Sequence, residues 1–308
     1  MPRVLIGSRG STLALTQAGV VRDALRQRFP SLRTGVVPIR TGGDRDWKRG
    51  IARFPGKGVF VKEIEEALLA GKIDLAVHSL KDLPTGLAPG LRLGAVPQRG
   101  DPRDCLVALR PTSLEDLPPE ARVGTGSPRR ACQLLARRPD LRILPVRGNI
   151  GTRLRKLREG EFEALLLAVA GLTRLGIRDY AIVPLDPDIC LPAPGQGAIG
   201  VEVRDPDPGV EPYLGSLDHA ASHRTVRAER AFLEALGGGC RVPIGGLATL
   251  AGKGALLLRG MIATPDGREM LRLRMEARGT PESLGERLAR RFLDRGGARI
   301  LAREAAGG

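Results

Sequence analysis

Aromatic residues are scarce: six Phe, two Tyr and one Trp make up 3% of the 308 residues. Proteins that grip single-stranded nucleic acid stack bases on aromatics set among basic residues, and no stretch of this chain has that pattern. Only four cysteines occur, Cys105, Cys132, Cys190 and Cys240, and they lie far apart. With no CxxC pair or Cys/His cluster, neither a metal site nor a disulfide framework is expected. His219 and His223 are four apart on an expected helix, but no glutamate sits between them and no third ligand is evident, so they read as surface histidines. His78 reads as a satisfied residue at a strand end. No apolar run reaches the roughly 20 residues of a membrane helix. Met1-Pro2-Arg3 leads into the strand-like Val4-Leu5-Ile6 without a signal-peptide layout, so a soluble, cytoplasmic protein is expected.

What the chain does have is positive charge. Lysine plus arginine number 49 against 34 acidic residues, a net charge of +15, which implies an anionic partner or substrate. At this length, with 42% hydrophobic residues, two or three cores are expected rather than one.

From Arg3 to Pro97 short β-branched runs alternate with helical periods, as in an α/β domain. A strand at 4–7 leads to a helix over 12–28, with Ser11 as its N-cap and Leu15, Ala18, Val21 and Leu25 as its buried stripe. A strand at 35–40 precedes a basic, glycine-containing stretch, 42–58, that lacks any period and reads as a mobile loop. A helix over 59–70 carries Phe60, Ile64, Ala67 and Leu68 on one face. A buried strand at 73–77 then delivers His78-Ser79-Leu80-Lys81-Asp82-Leu83-Pro84 to its carboxyl end, where ligands of open α/β sheets collect.

After the linker at 98–103 the same grammar restarts, with strands at 105–109, 142–146 and 164–169. The strand at 199–203, beyond Pro192-Ala193-Pro194-Gly195-Gln196-Gly197, is expected to cross back into the first domain, and two crossings make a hinge. A helix from about Leu217 to Leu236 ends in Gly237-Gly238-Gly239-Cys240. Strands at 255–263 and 269–277 and a helix near 282–293 complete a small α+β domain.

The second domain repeats one device: a strand ends in a polar turn, and a helix begins with arginines beside its free N–H groups. Ser127-Pro128-Arg129-Arg130 is one case and Arg147-Gly148-Asn149-Ile150-Gly151-Thr152-Arg153 the other. Helix N-termini attract anions, and a guanidinium fork matches a carboxylate. Taken singly each arginine reads as a solvated surface charge; clustering at strand ends points instead to carboxylate sites. Lys81-Asp82 reads either as a structural ion pair or as a carboxylate that stabilises a cation or manages protons. Cys240, on a glycine turn beside Arg241, has an exposed backbone and nearby positive charge that favour thiolate, whereas the other three cysteines read as inert and buried.

In order along nearly the whole chain, these stretches resemble the hydroxymethylbilane synthases (porphobilinogen deaminases). The matching pieces are Gly7-Ser8-Arg9 with Ser11 and Leu13-Ala14-Leu15, Gly56-Lys57-Gly58-Val59-Phe60-Val61-Lys62-Glu63, and the 78–84 segment. Gly124-Thr125-Gly126-Ser127-Pro128-Arg129-Arg130, the 147–153 segment, Ala168-Val169-Ala170-Gly171-Leu172-Thr173-Arg174, the 192–197 segment and Gly238-Gly239-Cys240 complete the series. Gly42, Gly126, Pro128 and Thr12 depart from residues common in that family.

The resemblance implies an α/β fold of two periplasmic-binding-protein-like α/β domains with hinge crossings plus a small C-terminal α+β domain. Domain 1 would take residues 1–97 and 198–216, domain 2 residues 101–193 and domain 3 residues 217–308. It implies a transferase of porphyrin and heme biosynthesis that adds four porphobilinogen molecules head to tail, with loss of ammonia, to a dipyrromethane cofactor thioether-linked to Cys240. Hydrolysis then frees the linear tetrapyrrole. Asp82 would be catalytic. Lys81, Ser11, Thr125, Ser127, Arg129 and Arg130 would bind the cofactor; Arg9, Gln17, Arg147, Arg153, Arg174, Gln196, Phe60 and Lys57 the substrate, with Arg53 in a lid formed by the 42–58 loop. No metal, nucleic acid or membrane is implied, and a monomer is. Every pyrrole brings an acetate and a propionate, so the growing chain is a polyanion that suits the arginine surplus. Two other classes fit the same layout, an anion-binding protein or regulator effector domain without chemistry and a basic nucleic-acid binder, but neither calls for Cys240.

Overall fold

The computed structural model describes residues 2–42, 61–238 and 242–306. In chain order the first elements are β1 (Arg3–Arg9), α1 (Thr12–Arg28), β2 (Arg33–Ile39), α2 (Lys62–Leu69), β3 (Leu75–Ser79), a 3-10 turn (Leu80–Asp82) and β4 (Leu91–Ala95). There follow β5 (Asp104–Ala108), β6 (Arg122–Gly124), α3 (Pro128–Arg137), β7 (Arg142–Leu144), α4 (Ile150–Arg158), β8 (Ala164–Ala168), α5 (Val169–Arg174) and β9 (Ala181–Pro184). The last are β10 (Ile199–Arg204), α6 (Glu211–Leu217), α7 (Ala220–Ala235), β11 (Ile244–Leu250), β12 (Leu256–Ala263), β13 (Met270–Ala277), α8 (Pro281–Phe292) and α9 (Ala298–Ala306). These pack into two units, Met1–Gly100 with Gly197–His223, and Asp101–Gln196 with Arg224–Gly308.

The first unit is built on a five-stranded sheet in the order β2-β1-β3-β10-β4. β1 runs parallel to β2 and β3, and β10 returns antiparallel between β3 and β4. α1 begins where Ser11 Oγ accepts from Ala14 N (3.3 Å), and its Ala18, Val21 and Leu25 pack on Val4, Ile6, Leu75 and Val201. α2 covers the other face with Ile64 and Leu68 against Ile73 and Ala76. Two helices on opposite faces leave the carboxyl ends of β1 and β3 side by side.

The second unit has a sheet of the same grammar, β7-β6-β8-β5-β9, with β6 parallel to its neighbours and β5 antiparallel to β8 and β9. α3 packs Leu134 on one face with Leu106, Val123 and Leu166, and α4 packs Leu154 and Leu157 on the other with Val107 and Leu165. The same unit holds the antiparallel sheet β11-β12-β13, on which Phe232 of α7 and Phe292 of α8 meet at 5.4 Å between ring centroids. A patch of Cys132 and Leu191 with Leu247, Met261 and Ala263 joins this small sheet to the α/β part. Arg272 of β13 adds a hydrogen bond to Gln133 Oε1 (2.8 Å).

The crossings are laced within each unit. Gly100 N donates to Gly197 O (3.1 Å) in the first, and Gln196 Nε2 donates to Pro102 O (2.8 Å) in the second. Gly195 and Gly197 flank Gln196 with φ of +75° and +85°, a backbone region that only glycine enters without strain.

Several elements differ from the sequence reading, which did not include β4, α5 or β9. The helix expected from about Leu217 to Leu236 is α7 (Ala220–Ala235), starting a few residues later because Asp218 turns to extended backbone and its carboxylate accepts from Val96 N (2.8 Å) and pairs with His223 Nδ1 (2.7 Å); the short α6 before that turn was not expected. β11 was not expected, since its Gly245 and Gly246 weaken the strand pattern. Those glycines admit close neighbours: a Cβ would lie 3.1 Å from Leu191 O at Gly245 and 3.1 Å from Pro194 Cγ at Gly246. α9 was likewise not anticipated.

Gly285 sets how close α8 comes to α7, for a Cβ there would lie 2.5 Å from Ala228 O and 2.6 Å from Phe232 N. Gly285→Ala gains about 1 kcal/mol of helix propensity but pushes on backbone, and overpacking costs about 1–3 kcal/mol. A net fall in stability, read as a lower urea midpoint, is expected; an unchanged or raised midpoint would show that the helices can part freely.

Candidate functional site

The parallel pairing of β1 with β3 brings two sequence motifs to one place in the first unit. Arg9 ends β1, Ser11 caps α1, Gln17 lies nearly two turns further along, and the 3-10 turn after β3 carries Lys81 and Asp82. Arg9, Ser11, Gln17 and Asp82 line one small cavity of about 80 Å³, together with Leu13, Ala14, Val61, Val77, His78 and Ser79. Gln17 is buried and its Oε1 accepts from Ser79 Oγ (2.9 Å), so its amide nitrogen is oriented from below. Asp82 and Lys81 are exposed. The cavity thus sets a guanidinium, two polar side chains and a solvent-reachable carboxylate around one space.

In the second unit the arginine motifs have two fates. Arg129 and Arg130, at the start of α3, are buried around Asp104, a fully buried carboxylate at the start of β5. Arg129 Nη1 donates to Asp104 Oδ2 (2.7 Å) and Leu191 O (2.6 Å). Arg130 donates from Nε to Asp104 Oδ1 (2.9 Å) and from Nη1 to Leu166 O (3.0 Å). Gln196 Nε2 completes the shell on Asp104 Oδ1 (2.9 Å). Burial pushes the Asp104 carboxyl up, but the charges of Arg129 and Arg130 outweigh it and hold that carboxyl far below its usual range. Burial also opposes the Arg129 charge, and Asp104 more than compensates. Two guanidiniums share one carboxylate, so the cluster keeps a net positive charge.

Arg147 and Arg153 frame the start of α4 instead, where Asn149 Oδ1 accepts from Thr152 N (2.8 Å) as the N-cap. Arg147 is exposed. Arg153 is partly buried, and its Nε donates to Gly148 O (2.8 Å), which leaves its two terminal nitrogens without a carboxylate among the described residues. Burial, and then the positive charge of Arg130, make that guanidinium easier to deprotonate than usual, the opposite of what a protein carboxylate would do. Burial lowers Arg174, at the end of α5, in the same direction. Thr125 Oγ1 accepts from Ser127 N (3.2 Å), and the Ser127 hydroxyl makes no capping bond to α3.

Cys105, Cys132 and Cys190 are buried, and burial first of all pushes each thiol up to about 12. None of the three is a usable thiolate near neutral pH. Cys240, Lys57, Phe60, Arg53 and all of the expected lid except Gly42 lie outside the described residues. Among the described residues no group of His, Cys, Asp and Glu is arranged to hold a metal ion, and no helix is long and apolar enough to cross a membrane.

The family model for the porphobilinogen deaminase dipyromethane cofactor binding domain matches residues 4–211, and that for the porphobilinogen deaminase C-terminal domain matches residues 223–294. The chain belongs to the porphobilinogen deaminase family. It is 52% identical to the porphobilinogen deaminase of Roseiflexus castenholzii, over 96% of this chain and 98% of that one. Identity is 48% to the enzyme of Desulforudis audaxviator (99% and 98% of the two chains) and 47% to that of Thermus thermophilus (97% and 98%). Members of this family are transferases, and the dipyrromethane cofactor is the group their first model is named for.

Sequence reasoning missed Asp104. It stands between a linker and a strand with no motif of its own, and its partners lie 25, 26 and 92 residues away. An uncompensated pair of buried arginines is the signal that would have found it, and that signal is visible only once burial is known.

Removing one partner of a buried charge cluster costs about 3–5 kcal/mol. Asp104→Asn should lose that much stability in urea at pH 7. Because the carboxyl is held low when folded, its contribution is complete above the ordinary carboxyl range near about pH 4 and drains away as the pH falls. The gap between wild type and variant should therefore narrow below pH 3; a gap independent of pH would contradict the charge assignment.

Proposed function

We propose that this chain is a hydroxymethylbilane synthase, joining four porphobilinogen molecules head to tail with loss of ammonia and releasing the linear tetrapyrrole by hydrolysis. The observation that carries the reading is Arg153, a partly buried guanidinium whose terminal nitrogens meet no carboxylate among the described residues. Such a charge is costly unless an anion is supplied, and the acetate and propionate of each pyrrole supply one.

A dipyrromethane thioether-linked to Cys240 provides the covalent anchor for the growing product. The residues of this chain suit such a group: its carboxylates call for guanidiniums and hydroxyls, and three of the four thiols are too deeply buried to carry it. Arg129 and Arg130 contribute the net positive charge of the Asp104 cluster, with Thr125, Ser127, Ser11 and Lys81 as further donors. Arg9, Gln17, Arg147, Arg153 and Arg174 bind substrate carboxylates, and Lys57 and Phe60 belong to the lid; Gln196, expected beside them, is buried with its amide hydrogens on Pro102 O and Asp104 and serves to hold the Asp104 cluster. Charge-assisted bonds of about 1.5–3 kcal/mol each allow a few of them to give micromolar binding.

Asp82 holds the pyrrole N–H groups and stabilises the cation left on porphobilinogen when ammonia departs, positioning it for attack. A fixed carboxylate beside developing positive charge contributes several kcal/mol in a water-poor site. The reading carries with it a cytoplasmic monomer acting on a small molecule, with no nucleic-acid or membrane partner.

Asp82→Asn keeps the size of the side chain and removes its charge. It should fold normally and consume porphobilinogen at least about 100-fold more slowly than wild type. Near-normal turnover would remove Asp82 from the mechanism.

A further inference from the structure

Successive positions at the start of a helix point about 100° apart, so Arg129 and Arg130 leave α3 in different directions. All three nitrogens of Arg130 are engaged inside the protein. Its Nε (2.9 Å) and Nη2 (2.7 Å) both meet Asp104 Oδ1, and its Nη1 donates to Leu166 O (3.0 Å). Arg129 is held through one nitrogen. The two hydrogens of its Nη1 go to Asp104 Oδ2 (2.7 Å) and Leu191 O (2.6 Å). Its Nε and Nη2 have no partner among the described residues. Neither nitrogen is sealed from solvent, for the buried side-chain atoms without a partner among the described residues are both carboxylate oxygens, of Glu202 and Asp207. The Arg129 side chain as a whole is 7% exposed. A nearly buried guanidinium thus keeps one open edge.

That edge is the one on which Nε–H and Nη2–H point the same way and grip a carboxylate with two parallel bonds. Asp104 sets its direction. Five donors surround this carboxylate: Arg129 Nη1, Arg130 Nε and Nη2, Gln196 Nε2 (2.9 Å) and the Cys190 thiol (3.3 Å). With Nη1 pinned between Asp104 and Leu191 O, the Arg129 fork is ordered before any ligand arrives. A side chain ordered in advance loses less entropy on binding than a mobile one. Charge works in the opposite sense, because Asp104 offsets one of two cations and by charge alone weakens the hold on an anion. Position and charge therefore predict opposite effects of removing Asp104.

We propose that Asp104 is the positioning residue of a carboxylate site whose contact group is the Nε and Nη2 edge of Arg129, with Arg130 as the second cation that keeps Asp104 in place. This rests on the function proposed above, in which the carboxylate is one of those carried by the dipyrromethane. The edge is flat and two-pronged, so it suits a planar carboxylate approaching side-on. Asp104 itself touches no ligand; it acts through the arginine it orients.

Protein made in cells that lack porphobilinogen starts without the cofactor, and the mass gained on adding porphobilinogen gives the half-saturating concentration for cofactor assembly. In Asp104→Asn, counted over the folded chains, that concentration should rise about 10-fold. Arg129→Lys keeps the charge but has no fork, and there it should rise at least as far. A lower concentration in Asp104→Asn would mean that the carboxylate only offsets charge, and an unchanged one that it only stabilises the fold; either overturns the proposal. If Asp104→Asn does not fold, NMR of the bare Cys240→Ser chain decides. The Arg129 Nε resonance, identified by its loss in Arg129→Lys, should be as ordered as rigid backbone, with an order parameter of about 0.85, and a value in the flexible range below about 0.6 overturns the pre-set fork. Wild-type chain that gains no mass and leaves porphobilinogen unchanged would overturn the proposed function itself, a result distinct from normal assembly in Asp104→Asn.

Discussion

Pairing between guanidinium and carboxylate governs both the build of the second unit and its chemistry. Inside, Asp104 gathers Arg129, Arg130 and Gln196 and thereby fixes β5, the start of α3 and the strap before β10 against one another. Two cations around one anion leave charge over, and Arg130 passes part of its effect to Arg153. Among the described residues Arg153 has no carboxylate to answer it. A protein gains nothing in stability from burying a cation in this way, so the arrangement makes sense for a ligand that brings its own carboxylates.

The first unit supplies a different chemistry. There the sheet order sets β1 beside β3, which turns two motifs some seventy residues apart into one cavity with Arg9, Gln17, His78 and Asp82 on its walls. In the proposed function, binding of negative groups belongs mainly to arginines at helix starts, and stabilisation of positive charge to a carboxylate at a strand end. Both kinds of position follow from the α/β architecture, because parallel strands end where the next helix begins.

Much of this was legible in the sequence. α1 could be bounded to the residue, since Ser11 caps it and its apolar positions keep a helical period; β8 shows as a short, fully apolar run and β3 as a mostly apolar one. The crossing of β10 back to the first sheet was readable from the proline and glycine cluster before it. What stayed hidden depends on distant partners. Asp104 and Glu202 look like ordinary acidic residues until the fold places Arg129 and His78 against them. The seven-residue α6 is too short to show a period of its own, and β11 is masked by glycines that exist to admit Leu191 and Pro194. Local propensity and period are carried by neighbours in sequence, whereas buried charge is balanced by neighbours in space.

The claim on which the rest turns is that a single thiol anchors the product. Cys105, Cys132 and Cys190 are sealed in cores with their thiols pushed up to about 12, which leaves Cys240 as the remaining cysteine. The intact mass of purified, active protein tests this directly, with Ehrlich's reagent as a check on the pyrrole. A mass raised by one dipyrromethane, and returned to that of the bare chain in Cys240→Ser, is the expected result. An unmodified mass in protein that turns over porphobilinogen would contradict the account.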